Sequence, residues 1–170
     1  MSTIMSTSIH TSVIARFIAT AGGAGYSPVA PGTCGTAVAV PVVWLLSGLS
    51  VWEFLAVSVL VTLIGIWAAS VADEHWGTHD SGRIVIDEVA GYMVTMLMVD
   101  RGDLAFLLLG FVLFRFFDIV KPPPVRWLDR NLPGGTGVVL DDIGAGVYGC
   151  LALYGISLTS LPQQLHGLLG

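Results

Sequence analysis

The sequence predicts an all-α fold: a single membrane-associated helical bundle over residues 1–170, with about four to five long apolar helices and some short ones. Three observations carry this. Hydrophobic residues make up 54% of the 170 and charged residues 11%, against about 25% charged in an ordinary soluble domain. Mean hydropathy is +0.81. The apolar segments are long and lack the strict alternation of a half-buried strand.

The elements follow in order. "MSTIMSTSIHTSVIARF" has neither the charged start nor the long apolar stretch of a cleaved signal. It reads as a polar lead-in, flexible over 1–15, to a first helix. No charged residue lies between Arg16 and Glu53. Inside that gap, 22–36 is a glycine/proline loop and 37–50 an apolar helix containing Pro41. Residues 54–72 form an uninterrupted apolar run of membrane-spanning length. A polar stretch, 73–83, leads into 84–99, which is apolar apart from Asp87 and Glu88; a strand at 84–87 is the competing reading. Helix 104–120 follows a charged turn, and "KPPP" must end it because consecutive prolines cannot continue a helix. The last helix is expected from Ile143 to about Leu158.

If these segments alternate in direction, the connections near 51–53 and 100–103 share one side. The loops 22–36, 73–86 and 121–142 then share the other. That second side carries Arg83, Lys121, Arg126 and Arg130, and the first carries only Arg101. The positive-inside rule makes the second side cytoplasmic. The net charge of −5 and the scatter of seven basic residues argue against nucleic acid as a partner. Cys34 and Cys150 are too few for a disulfide framework and read as packing residues.

Four polar groups fall on the second side. In "GYSPVAPGTCG" the irregular backbone could cradle an anion, with Thr33 donating a hydroxyl. A rigid helix-entry loop explains the same residues, and the Gly-Lys-Ser/Thr ending of a P-loop is missing. In "HDSGRIVIDEVAG", Asp87 and Glu88 are adjacent acids in an apolar context, and Gly91 one turn later would admit a neighbouring helix. One acid could cap a helix; two exceed what a cap needs. His79 and Asp80 fit a solvated loop equally well. In "FRFFDIVKPPP", Arg115 and Asp118 share a helical face as an ion pair, and Lys121 sits where snorkelling also accounts for it. In "GGTGVVLDDIGAGVYG", Asp141 could cap a helix whose dipole favours Asp142, with Gly146 and Gly149 on the Asp142 stripe.

Five acids (Asp87, Glu88, Asp118, Asp141 and Asp142) therefore converge on one side of a bundle. Uncompensated, they would repel one another. A divalent cation resolves this, and an all-oxygen donor set selects a hard ion, Mg²⁺. Arg115, Lys121 and Arg83 would bind the oxygens of a phosphorylated lipid. This points to phosphoryl chemistry at a membrane and leaves hydrolysis and transfer both open.

The blocks "GYSPVAPGTCGT", "HDSGRIVIDEVAGY" and "FRFFDIVKPPPVRWLDRNLPGGTGVVLDDIGAGV" resemble the signature of the bacterial phosphatidylglycerophosphatase A family, from about Gly22 to Val147. The resemblance implies a bundle with one helix surrounded by others, at the bacterial inner membrane, and the apolar 54–72 run matches the membrane-bound branch. It implies Mg²⁺-dependent hydrolysis of phosphatidylglycerophosphate to phosphatidylglycerol. The five acids would be catalytic or metal-binding, and Thr33, Arg115, Lys121 and Arg83 would contact phosphate. Water is favoured as nucleophile over an aspartyl-phosphate. Two alternatives stand beside this. One is a phosphotransferase using a cytidine-diphosphate lipid, whose spaced aspartate run is absent. The other is a non-enzymatic scaffold or ion carrier.

Overall fold

A computed structural model describes residues 2–78, 81–127 and 134–159. Every regular element among them is helical: α1 (Ser2–Ala19), a 3₁₀ turn (Ala21–Tyr26), α2 (Pro31–Leu45), α3 (Val51–Trp76), α4 (Ile86–Thr95), α5 (Leu104–Val120) and α6 (Gly134–Ser157). Strand at 84–87 does not form. Val85 N–H donates once, to Ala19 O (2.8 Å), and α4 starts at the next residue.

Local chemistry sets most boundaries. Ser50 and Glu53 form a reciprocal capping box at the start of α3, and Gly77, left-handed at φ 63, ends it. Asp103 caps α5 by accepting from Ala105 N–H, and α5 stops at Lys121 before the prolines. Three helices begin well before their expected starts, α1 among them at Ser2, inside the stretch expected to be a flexible lead-in. Pro31 occupies the first helical turn of α2, where its fixed φ is favourable and its missing N–H costs nothing. The "GGTG" stretch is the first turn of α6 rather than part of the loop expected over 121–142. A Cβ on Gly135 would strike the Ile66 carbonyl and the Ser70 hydroxyl of α3, so this glycine marks close packing. Asp141 and Asp142 consequently sit about two turns inside α6, and neither caps it.

α4 is the centre of the bundle and packs against α2, α3, α5 and α6. Tyr92 and Met93 on it are fully buried. Its crossing with α6 depends on absent side chains. A Cβ on Gly91 would meet Phe114 and the Asp142 carbonyl, and one on Gly146 would meet the Gly91 carbonyl. Thr95 Oγ1 ties the crossing by donating to Gly91 O (3.1 Å) and Gly146 O (3.3 Å).

α3 and α6 are long and apolar enough to cross a membrane. The most apolar window of α3 is only 28% buried in the bundle, unlike the core helix of a soluble domain. Leu60, Leu63, Val112, Phe116 and Leu151 also face outward, as lipid-facing side chains do. α4, ten residues long, extends about 15 Å and cannot span a hydrocarbon core of about 30 Å. The helices alternate in direction, which separates two ends.

At the end away from the acids, Arg101 is 7% exposed. It donates to Leu49 O (2.6 Å) and Leu97 O (3.4 Å) and lies over the Phe54 ring at 4.3 Å. One guanidinium thus joins the α2–α3 turn, the start of α3 and the end of α4. Arg101→Ala is expected to destabilise the fold by about 2–4 kcal/mol through two unpaired carbonyls and a lost ring contact. Arg101→Lys should not restore it, since a point charge lacks the planar fork. Thermal unfolding in detergent measures both, and a wild-type midpoint in Arg101→Ala would refute the assignment.

Candidate active site

The opposite end holds the polar groups. A cleft of about 300 Å³ opens between the start of α2, residues 81–84, the start of α4, the end of α5 and the first half of α6. Asp87, Glu88, Asp118, Asp141, Asp142, Arg115 and Lys121 all line it. Four separate chain segments are brought together by the alternation of the helices.

At its floor, Asp87, Glu88 and Asp142 each offer a carboxylate oxygen within 4.8 Å of the others. Asp87 is 8% exposed and Asp142 4%. Glu88 Oε2 and Asp142 Oδ2 are buried and accept no hydrogen bond. Such oxygens are costly to leave unmet. Burial, reinforced by the Glu88 and Asp142 charges, holds the Asp87 carboxyl well above the usual carboxylate range. Burial also raises Glu88, opposed by its hydrogen bond with Asp87 and by Arg115. A cluster of this kind, with hard oxygen donors only, can hold a divalent cation.

The cations flank the acids. Arg115 Nη1 lies 2.7 Å from Asp118 Oδ2 and 3.6 Å from Glu88 Oε1. The pair expected from the i, i+3 spacing therefore forms and also reaches α4. Lys121 Nζ donates to Asp141 Oδ2 at 2.5 Å, which links the end of α5 to α6. Asp141 and Asp118 are thus paired with Lys121 and Arg115, Glu88 lies at the edge of the Arg115 contact, and Asp87, Glu88 and Asp142 are the group whose oxygens could hold a metal ion.

Two residues expected at the site lie beside it. Arg83 stacks over the Trp76 ring, 5.6 Å from its centroid, and does not line the cleft. Thr33 is in the first turn of α2 but likewise does not line it; Ala30, Pro31 and Gly32 do. His79, Asp80 and Arg130 fall outside the described residues.

The sequence reading missed two contributors. Asp73 Oδ1 accepts from Thr78 Oγ1 (3.1 Å) and Ser81 N–H (3.0 Å), fixing the lip that Ser81 and Gly82 present to the cleft. An acid five and eight residues before its donors was the available signal. Gly32 is the other. A Cβ there would run into Glu88 Oε1 and the Arg115 guanidinium. Gly32 and Thr33 also precede the first helical bond of α2, from Cys34 N–H to Ala30 O (3.1 Å), and α2 has no side-chain cap. Its positive end therefore opens beside the cleft. Gly32→Ala should lower turnover about 10²-fold, the effect of displacing reacting groups by about 1 Å, with an unchanged unfolding midpoint. Turnover within a factor of about two of wild type would show that the contact is immaterial.

A family model described as phosphatidylglycerophosphatase A matches residues 17–157. A phosphatidylglycerophosphatase A of Escherichia coli (strain K12) is 39% identical over 133 residues, covering 78% of this chain and 77% of that protein. One from Haemophilus influenzae is 37% identical over 135 residues, 79% and 83% of the two chains. A Bacteroides thetaiotaomicron protein named "Putative phosphatidylinositol-3-phosphatase" is 41% identical over 139 residues, 77% and 86%. No solved structure matches the chain significantly.

Proposed function

Because the chain belongs to the phosphatidylglycerophosphatase A family, we propose that it hydrolyses phosphatidylglycerophosphate to phosphatidylglycerol and phosphate, with Mg²⁺ held by Asp87, Glu88 and Asp142. The observation that carries this reading is the three-carboxylate cluster with its unmet buried oxygens, set beside Arg115 and Lys121. A divalent cation bound there supplies electrophilic polarisation of a phosphate oxygen and a more acidic water.

The chain's own groups do the rest. Arg115, held at Nη1 by Asp118 and Glu88, presents guanidinium charge to the phosphate. Lys121, oriented by Asp141, adds a second cation from the cleft rim. The N–H groups of Gly32 and Thr33 can donate to phosphate oxygens at the positive end of α2. The cleft would take the terminal phosphomonoester while the apolar surface stays in lipid. Water attacks phosphorus, and the glycerol oxygen leaves with a proton.

The cleft end carries Arg83, Lys121 and Arg126 and the far end Arg101. The positive-inside rule supports a cytoplasmic cleft, and the bacterial relatives are in keeping with an inner-membrane location. Acids gathered at one end disfavour an ion carrier, which needs a polar path across the midplane. Phosphate release from phosphatidylglycerophosphate by the purified chain tests the reading. Release should require Mg²⁺ and no nucleotide. Full activity in excess chelator would overturn the metal role, and dependence on a cytidine-diphosphate lipid would favour transfer. The name of the Bacteroides relative supports a second headgroup; phosphatidylinositol 3-phosphate in the same assay ranks the two.

A further inference from the structure

Lys121 is the chain's one lysine, and it reaches the cleft from an unusual backbone. Its φ is 45° and its ψ 67°, in the left-handed region that residues with a side chain rarely occupy. Pro122 explains why α5 stops there, because the residue before a proline is disfavoured in the right-handed helical region. It does not explain why the chain turns left-handed instead of running extended. A conformation of this kind persists where its surroundings over-determine it.

Three contacts fix the segment. Lys121 N–H donates to Phe117 O (2.8 Å) and closes the last turn of α5. Arg126 Nη2 donates to Val120 O (3.1 Å). The Tyr148 hydroxyl donates to Pro123 O (2.6 Å). The first two lie within the end of α5 and the turn itself, whereas Tyr148 ties the turn to another helix.

Tyr148 grips the chain on both sides of Lys121. Its ring stacks on that of Phe117, with centroids 5.5 Å apart and an interplanar angle of 28°. Phe117 lies four residues before Lys121, and Pro123 two after it. Asp141, which pairs with the Lys121 ammonium, is seven residues before Tyr148. The two therefore share one stripe of α6, about 10 Å apart along the axis. Helical side chains lean towards the N-terminus of their helix, so the Tyr148 phenol leans back towards the Asp141 end. Asp141 fixes where the ammonium ends, and Tyr148 fixes the backbone from which it extends.

We propose that Tyr148 is a positioning residue for phosphate binding: its ring and hydroxyl set the left-handed turn from which Lys121 reaches over the cleft. The proposal rests on the hydrolytic reading above and adds to that site a residue that does not line the cleft and acts through Lys121. With the hydroxyl gone, the turn relaxes towards the extended geometry favoured before proline, and the ammonium moves away from the phosphate.

The test compares the full chain with Tyr148→Phe, which keeps the ring stack. Pro123 is exposed, so water replaces the lost donor and the unfolding midpoint should not move. For phosphatidylglycerophosphate in mixed micelles, KM should rise about three- to tenfold, the worth of one hydrogen bond, with kcat within a factor of about two. The effect has to pass through Lys121. In a Lys121→Gln background, adding Tyr148→Phe should leave KM where it is, whereas a merely structural tyrosine would cost the same with or without the lysine. An unchanged KM in Tyr148→Phe, or an equal rise in both backgrounds, would overturn the proposal. A second arm needs no turnover. With one lysine in the chain, amine-reactive labelling read by mass spectrometry reports on Lys121 directly. Its labelling rate should rise several-fold in Tyr148→Phe as the ammonium leaves Asp141, and a rate equal to that of wild type would also overturn the proposal. Failure of the wild type to release phosphate counts against the hydrolytic reading, while labelling still decides whether Tyr148 holds Lys121.

Discussion

Asp142→Asn is expected to lower kcat/KM by about 10³-fold or more, roughly 4 kcal/mol of transition-state stabilisation, while raising the unfolding midpoint measured in chelator. Both effects have one cause. Asp142 is 4% exposed and about two turns inside α6, so its charge caps nothing. Its oxygen meets those of Asp87 and Glu88 from the neighbouring helix within 4.8 Å, and its Oδ2 has no donor. Without a cation this is a like-charge cluster in an apolar setting, which opposes folding. Removing one charge relieves it. An increment of about 1 kcal/mol would appear as roughly 2–4 °C for a chain of this size. The two readings together separate a functional acid from a structural one. Loss of activity with loss of stability would mark Asp142 as packing, and retained activity would remove it from the site.

The acid cluster was legible in the sequence for an energetic reason. Asp87–Glu88 and Asp141–Asp142 interrupt apolar runs where ionised groups are expensive to bury, and their intervals fall on one side of an alternating bundle. Asp118 with Arg115 was legible by spacing. The bounds of α5 were too, since Asp103 and "KPPP" are start and stop chemistry respectively. The start of α6 was not. Glycine serves both flexible turns and close helix crossings, and only the proximity of Ile66 and Ser70 shows that Gly135 is the second kind. Gly32 has the same ambiguity: its role depends on where Glu88 and Arg115 arrive from other helices. Arg83 does not line the cleft but stacks over Trp76, a neighbour that charge alone does not reveal. Asp73 was overlooked because a polar stretch gave no reason to single out one acid, yet its bonds to Thr78 and Ser81 build the cleft lip.

Thermal stability should respond to pH in opposite senses with and without a divalent cation. Asp87 and Glu88 have raised values when no cation is present, both chiefly through burial. Ordinary carboxylates titrate near pH 4. Between there and the raised values, the folded chain holds protons that the unfolded chain has released. The folded state then binds more protons, so stability falls as pH rises through that window. In chelator, the midpoint should therefore be lower at about pH 8 than at about pH 5, provided global charge effects are matched by comparison with Asp142→Asn. A cation bound by these carboxylates needs them ionised, so its affinity grows with pH. At a concentration a hundred times its Kd it contributes about 2.7 kcal/mol. The gap between Mg²⁺ and chelator midpoints should thus be small near pH 5 and several degrees near pH 8. Asp142→Asn, lacking one of three ligands, should close most of that gap at both values. Midpoints indifferent to Mg²⁺ across the range would mean that the carboxylates share protons rather than a metal, and the phosphatase chemistry would then have to rest on Arg115, Lys121 and the positive end of α2 alone.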